Sequence, residues 1–552
     1  MSAVDANTIQ LAVARQTALG VRASAGVRQL EPNSDPAPTF APDITKIART
    51  PISRRLSRRK GTPTALAANV SFGEDITYSS LPYWLEAALY STWRNGQERL
   101  MDPDSVAAGF TFPNNSFNAG AMARLTAKLP PNRGLLWAEG FTSARNNGLK
   151  LRAGAVTANT IPATDADAAS TALVAEPAPA DARISLAGFR LAGAGQQTWA
   201  WDEDSRLATL TGAANAVSNG MGLGEGLVND GQAANRNKPL SVGQTVHIGS
   251  ILADGGALGR GLRIEGNGGS AGVTGFARLV RFEENSLIFD RVDTALQMNF
   301  ALPSTPANVI DILFGDFLTD EAIDDDYYAR HLHTLELVSP DLEGEDAATA
   351  DDGYEYAEDQ VVATLGLNFP LEDKATMTVN LVGTDISPPS TVRSAGFDSQ
   401  AEPLHTEAYN TASDFARLRL TDENDELLTE DFTAVTINVN PQSGTESVLG
   451  QLGPRFLNRG ILQCDIDATV IFADDGIPRA IRDNETTRFD LISRNNDGVF
   501  VLDLPSQTLG GGGREYPTNQ KVTLSTTGES FEDETFGRSL MCSLIPAPIP
   551  IT

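Results

Sequence analysis

Residues 64–96 read TALAANVSFGEDITYSSLPYWLEAALYSTWRNG, and the two periodicities in this stretch decide the fold. Leu66, Ala68, Val70 and Phe72 alternate with Ala67, Asn69 and Ser71, the two-residue period of a strand with one buried face. Gly73 interrupts the alternation. Ser79 and Ser80 then offer N-cap hydroxyls, and Pro82 falls in the first turn of a helix, where its missing N–H costs nothing. Leu81, Trp84, Leu85, Ala88, Leu89 and Trp93 follow at helical spacing, with Gly96 placed as a stop. Burying side chains such as Trp84, Leu85, Leu89 and Trp93 is worth roughly 1.5–3 kcal/mol each, so the helix must dock on something apolar.

Working outward, 552 residues exceed one ordinary core, and 49 Gly with 30 Pro among short alternating runs favour β structure joined by turns. No apolar run reaches the length of a membrane span, and the first ten residues lack a basic segment followed by an apolar one, so neither membrane nor secretory signal is expected. The formal charge of −29 excludes a chain that grips nucleic acid or an acidic membrane through Lys and Arg. Cys464 and Cys542 each alternate in register with aliphatic neighbours and read as small buried hydrophobes. His331 and His333 share a strand face, but no third ligand is indicated.

Two later blocks carry the same texture. Val361, Ala363, Leu365, Leu367 and Phe369 alternate, as do Ala375, Met377, Val379 and Leu381, with Pro370 to Lys374 making the turn of a hairpin. From Phe432 to Pro546 an Asn-bearing strand (Asn438, Asn440), a long loop, a second long strand and closing strands follow in order. Together with ANVSFGEDITYSSLPYWLEAALYSTW, these blocks resemble the major tail tube proteins of long-tailed (siphovirus-type) bacteriophages. The resemblance covers about half the chain in three ordered pieces.

What it implies is a mainly β (α+β) fold, a tail-tube β-sandwich or barrel with one flanking α-helix, plus inserted small β-barrel modules. Residues 1–101 and 306–552 would be the two halves of a split tube domain. Residues 102–212 and 213–305 would be the inserts, since Gly134–Arg190 and Ser241–Val292 repeat the same order of features. Ala144, Asn146, Asn147 and Gly148 resemble the turn of such inserts, whereas Ala257, Leu258 and Gly259 depart from it. Residues 44–63 hold Lys46, Arg49, Arg54, Arg55, Arg58, Arg59 and Lys60, with no acid from 44 to 73, in the place where the family carries a loop reaching the next ring. The resemblance further implies stacked homohexameric rings, contacts with terminator, tape-measure and distal tail proteins, and a channel that duplex DNA traverses without specific binding.

Enzymatic readings find less support. With 71 Asp and Glu, carboxylate pairs arise by proximity alone. Asp422, Asn424 and Glu426 lack the Gly and bidentate Glu of a calcium loop, Gly510–Gly513 lacks the Lys-Ser/Thr and helix of a phosphate cradle and reads as a flexible connector, and no Gly-x-Ser-x-Gly elbow adjoins a strand. No catalytic residue, cofactor or metal ligand is expected. The rivals are a secreted multi-domain β adhesin or surface-layer protein and a tail-associated polysaccharide hydrolase.

Overall fold

In the computed structural model, the structure describes residues 8–48, 60–94, 116–118, 134–152, 160–165, 173–174, 183–192, 197–211, 240–249, 262–263, 272–283, 286–302, 309–340, 352–402 and 406–546. Gly61–Asp75 forms the expected strand, with Ala68, Val70 and Phe72 buried and Asn69 exposed. It pairs on one edge with Thr39–Ala48 and on the other with Thr376–Gly383. Gly73 does not end it. A Cβ there would meet Pro36 Cδ at 2.7 Å, so the N-terminal segment lies tightly across this point.

From that strand the main sheet continues through Gly353–Pro370, Phe432–Asn440, Gln463–Ile471, Thr523–Ser530, Val499–Glu515, Thr486–Arg494 and Phe415–Asp422, all antiparallel. The 18-residue Gly353–Pro370 strand also pairs, through its first half, with Leu332–Ser339, which in turn pairs with Gln10–Gln16. The expected 361–381 hairpin is present, with Leu365 opposite Val379 and Leu367 opposite Met377. A register shift between Val362 and Thr364 moves the phase, so Val362 is buried and Ala363 only half-buried. Gly510–Gly513 is not a connector: it lies inside Val499–Glu515 at a second register shift, where Gly511 and Gly512 take φ of 80° and 87°. Those left-handed values suit glycine at a bulge.

Helix α1 spans Leu81–Leu89 and ends earlier than the spacing suggested, at Tyr90 with φ 53°. Gly96 lies outside the described residues. Ser80 makes no side-chain cap; its hydroxyl instead donates to Asp75 O at 2.9 Å and accepts from Thr77 N–H at 3.1 Å. Every α1 residue but Glu86 is buried, so the helix is enclosed and not amphipathic. A second helix, α2 (Gly476–Asp483), had no place in the sequence reading. It buries Ile477 and Ala480 and is bounded by Asp475 and by Asn484 at φ 54°.

The strands expected in two separate modules hydrogen-bond into one 12-stranded sheet, which also takes up Val309–Leu313. In it, Leu207–Thr211 of the earlier stretch pairs with Ser286–Asp290 of the later one. Among the described residues neither sheet closes into a barrel. Asn146 and Asn147 explain the Asn-Asn-Gly turn: Asn146 exchanges amide hydrogen bonds with Val174 (2.8 and 2.9 Å), and Asn147 does the same with Phe141 (2.8 and 2.9 Å). Ala257, Leu258 and Gly259 lie outside the described residues.

Candidate functional surfaces

The side chains singled out on the helix converge on one core. Trp84 is buried against Phe72 and Tyr83, with ring centroids 5.4 and 4.9 Å away, and donates Nε1–H to Glu74 Oε2 at 3.3 Å. Leu85 and Leu89 are buried in the same cluster. Trp93 lies beyond the helix but folds back, donating Nε1–H to the Pro82 carbonyl at 2.9 Å. His333, from the neighbouring strand, packs its ring against Tyr83 and Trp84; burial holds it neutral, well below the usual histidine range. Burial pushes the Glu74 carboxyl up to about 8. Cys464 and Cys542 are buried free thiols. Among the described residues no three His, Cys, Asp or Glu side chains are grouped to hold a metal, and no helix is long and apolar enough to cross a membrane.

The opposite face of the main sheet is polar. Directly paired residues of an antiparallel sheet point the same way. Across it, Thr378, Gly366, Asn438, Asp465 and Glu529 form one rung, and Thr376, Asn368, Thr436, Asp467 and Thr527 the next. Side chains join along them: Ser71 Oγ donates to Asn380 Oδ1 (2.7 Å), Asn380 Nδ2 to Thr364 Oγ1 (2.7 Å) and Thr436 Oγ1 to Asn368 Oδ1 (3.2 Å). Asp465, Asp467 and Glu529 bring three carboxylates, and the strand segments 364–368, 376–380, 436–440, 463–469 and 523–529 contain no Lys or Arg. Partial burial, with Glu529 and Asp467 beside it, raises the Asp465 carboxyl above its ordinary value. The sequence reading noticed Asn438 and Asn440 here but not the acids, whose common face depends on register.

The cationic stretch is described only in part. Lys46, in Thr39–Ala48, and Lys60 are exposed at the far end of the 39–75 hairpin. Arg49, Arg54, Arg55, Arg58 and Arg59 lie outside the described residues.

Sequence reasoning missed a charged seam between the insert and the main sheet. Arg278 donates Nε–H and Nη2–H to Asp290 (2.9 and 2.6 Å) and Nη1–H to Asp503 at 2.8 Å. Arg291, wholly buried, donates to Asp490 and Asp503, both at 3.0 Å. Arg417 bonds Asp490 and Asp293, and Arg419 reaches Asp490 at 2.8 Å. These guanidinium groups hold the Asp490 carboxyl well below the usual carboxylate range despite its burial. Beside the seam, Leu135, Leu149, Ala187, Phe276 and Leu313 of the insert share an apolar cluster with Ile492, Val499, Val501 and Ile545. Among the described residues the 12-stranded sheet is therefore joined to the main sheet by both ion pairs and apolar packing. A cavity of about 670 Å³ opens at its rim between Arg206, Asp293 and the Phe415–Asp422 strand.

No individual curated protein matches the sequence. A family model described as phage tail tube protein matches residues 6–530, spanning both sheets, the helix core and the polar face. The chain thus belongs to the phage tail tube proteins, structural subunits of the phage tail that assemble with themselves and with other tail proteins.

Proposed function

We propose that identical copies close into hexameric rings that stack into the channel for DNA ejection, in a siphovirus-type tail. Residues 1–101 and 306–552, apart from the Val309–Leu313 strand of the 12-stranded sheet, would act as one split tube domain, and that second sheet as an outward insert where additions are tolerated. Terminator, tape-measure and distal tail proteins are the further partners proposed, and no catalytic step is assigned.

The observation that carries this reading is the polar face of the main sheet. It offers hydroxyls, amides and three carboxylates but no cation over five neighbouring strands. Turned toward a bore, such a face repels phosphate and releases no counterions, so DNA slides without being held. Assembled wild-type protein should therefore show no duplex-DNA retention at low salt. Asp465→Lys/Asp467→Lys/Glu529→Lys should create retention, with a log–log salt slope steepening by about 0.9 for each phosphate that the new lysines neutralise. Strong wild-type binding, or no change in the triple variant, removes these strands from the channel.

The inter-ring role of Lys46, Arg49, Arg54, Arg55, Arg58, Arg59 and Lys60 is likewise a proposal. It rests on a cationic run in a chain of net charge −29, where stacked copies need contacts of opposite sign. Arg54→Glu/Arg55→Glu/Arg58→Glu/Arg59→Glu should stop tube growth while thermal unfolding of the monomer stays unchanged. Normal tubes by negative-stain microscopy would exclude the loop from the contact.

A further inference from the structure

The two ends of the main sheet differ in character. At one end the 39–75 hairpin runs past Gly383, which pairs with Ala68 and is the last residue of its neighbour to do so. The seven residues from Ala68 to Gly61 therefore carry the hairpin roughly 23 Å further, at ~3.3 Å per residue. Over that length its core face loses its cover: Ile44, opposite Leu66, is exposed, and Ile47, three residues on, is exposed on the other face. The Gly444–Ser447/Pro454–Asn458 hairpin lies alongside, with Leu66 N–H donating to the Leu452 carbonyl at 3.0 Å. On it Leu449, Leu452 and Phe456 are exposed, and Ile461 follows, also exposed. Single exposed leucines are ordinary, but an apolar strip over two adjoining hairpins marks a contact surface. Among the described residues the exposed charges here are Lys46, Lys60 and Arg455 against Glu446 and Asp385.

The other end is its complement. The turn after Pro370, the turn after Asp422, the approach to Phe432 and the start of α2 come together there. Pro370 pairs with Ala434, Ile471 N–H donates to Asp431 O at 2.9 Å, and Gly476 approaches Leu428. This end exposes Glu372, Asp373, Glu423, Glu426, Glu430, Asp431, Asp474, Asp475 and Glu515 against Lys374, Arg479, Arg514 and Lys521; Lys374 is already held by Asp75 at 2.8 Å, and Glu426 by Arg206 at 3.3 Å. Leu371 and Leu427 stand exposed among these acids.

We infer that the two ends are mates: the Leu449/Leu452/Phe456 strip with its flanking cations seats on the carboxylate-rich end of a second copy, with Leu371 and Leu427 meeting the strip. The inference rests on the tube reading and adds to it which surfaces join copy to copy. The partner is another copy because the surface that complements the strip, in charge and in exposed leucine, belongs to the same chain. Two different patches in contact make a head-to-tail joint that leaves one of each free at the ends of any stack, so growth continues. Apolar burial supplies the affinity and the opposed charges set the orientation.

The test uses the full chain, with tube length and yield read by negative-stain microscopy. Leu449→Asp/Leu452→Asp should fold as the wild type does, because Leu449 is fully exposed, and Leu452, 44% exposed, is held through its backbone carbonyl. It should lower tube yield at least ~10-fold, the consequence of losing about 1.4 kcal/mol or more per joint. Its acidic end remains intact, so adding it to growing wild-type tubes should cap them and shorten them. Leu449→Asp/Leu452→Asp/Glu372→Lys/Asp474→Lys/Asp475→Lys, altered at both ends, should not shorten them. A variant that had merely misfolded would cap nothing. Wild-type tubes together with full-length tubes from the double variant, or no shortening on mixing, overturn the pairing and leave the tube reading standing. Failure of the wild type itself to form rings or tubes overturns both.

Discussion

Asp490→Ala should destabilise the protein by about 3–5 kcal/mol, the cost of leaving partners of a buried ion pair uncompensated. Asp490 is fully buried and accepts hydrogen bonds from Arg291, Arg417 and Arg419, while Arg291 has only Asp503 as a further hydrogen-bonded carboxylate in the seam. Removing Asp490 strands cationic charge between the insert and the main sheet, so the junction should loosen first. Limited proteolysis should then separate the insert at protease levels that leave the wild type whole. The pH dependence follows from the direction of the shift. The folded carboxyl titrates below its unfolded value, so its stabilisation is complete above the ordinary aspartate range and fades as pH falls toward the folded pKa. Between neutral and strongly acid pH the wild type should thus lose stability that Asp490→Ala has already lost, and the two melting curves should converge. A variant that melts with the wild type at pH 7 would show that the seam contributes nothing net.

The seam also shows where reading a sequence stops. Arg291 and Asp490 are 199 residues apart, and no local period relates them. Charged residues at alternate positions of Thr486–Arg494 look like a solvated face until another sheet covers it. The single 12-stranded sheet escaped for the same reason: its strands are short, and the pairing of 207–211 with 286–290 joins two stretches that read in sequence as separate modules, 102–212 and 213–305. Features set by local chemistry were visible in advance, among them the 361–381 hairpin, the buried Cys464 and Cys542, and the Trp84 core. Local chemistry misled at chain reversals. Gly96 offered the obvious helix stop, yet Tyr90 takes the left-handed turn, which few non-glycine residues adopt. Gly510–Gly513 looked like a connector, yet it is the bend of a long strand. For α2 the cues were present, Asp475 before it and Asn484 after it, but eight residues are too few for a periodic signal. The acidic face of Asp465, Asp467 and Glu529, over two neighbouring rungs, was hidden because alternation within one strand says nothing of which neighbour it meets.

Trp84→Ala should cost about 3–5 kcal/mol, the range for emptying a buried aromatic site. The reasoning reaches beyond volume. Trp84 fills the space between Phe72 of the 61–75 strand and His333 of the 332–339 strand, so its loss uncouples α1 from both parts of the main sheet. It also removes the Nε1–H that Glu74 accepts, leaving a buried carboxyl with one donor fewer. Trp84→Phe separates the two effects: most of the packing stays, and the remaining loss, about 1–3 kcal/mol, reports the hydrogen bond. Glu74 gives this core a pH signature. Its folded pKa, raised to about 8, exceeds the unfolded value near 4.5, so the folded chain keeps a proton that the unfolded chain has released. Stability attributable to Glu74 is therefore highest below the unfolded pKa and falls as pH rises to about 8. The buried histidines act oppositely, but His333 titrates below the usual histidine range and adds no slope above pH 7. Urea unfolding from pH 7 to 9 should show a decline in the wild type and a flatter profile in Glu74→Gln, whose amide can still accept from Trp84. If the two profiles run parallel, the folded chain releases the Glu74 proton below pH 7, as the unfolded chain does.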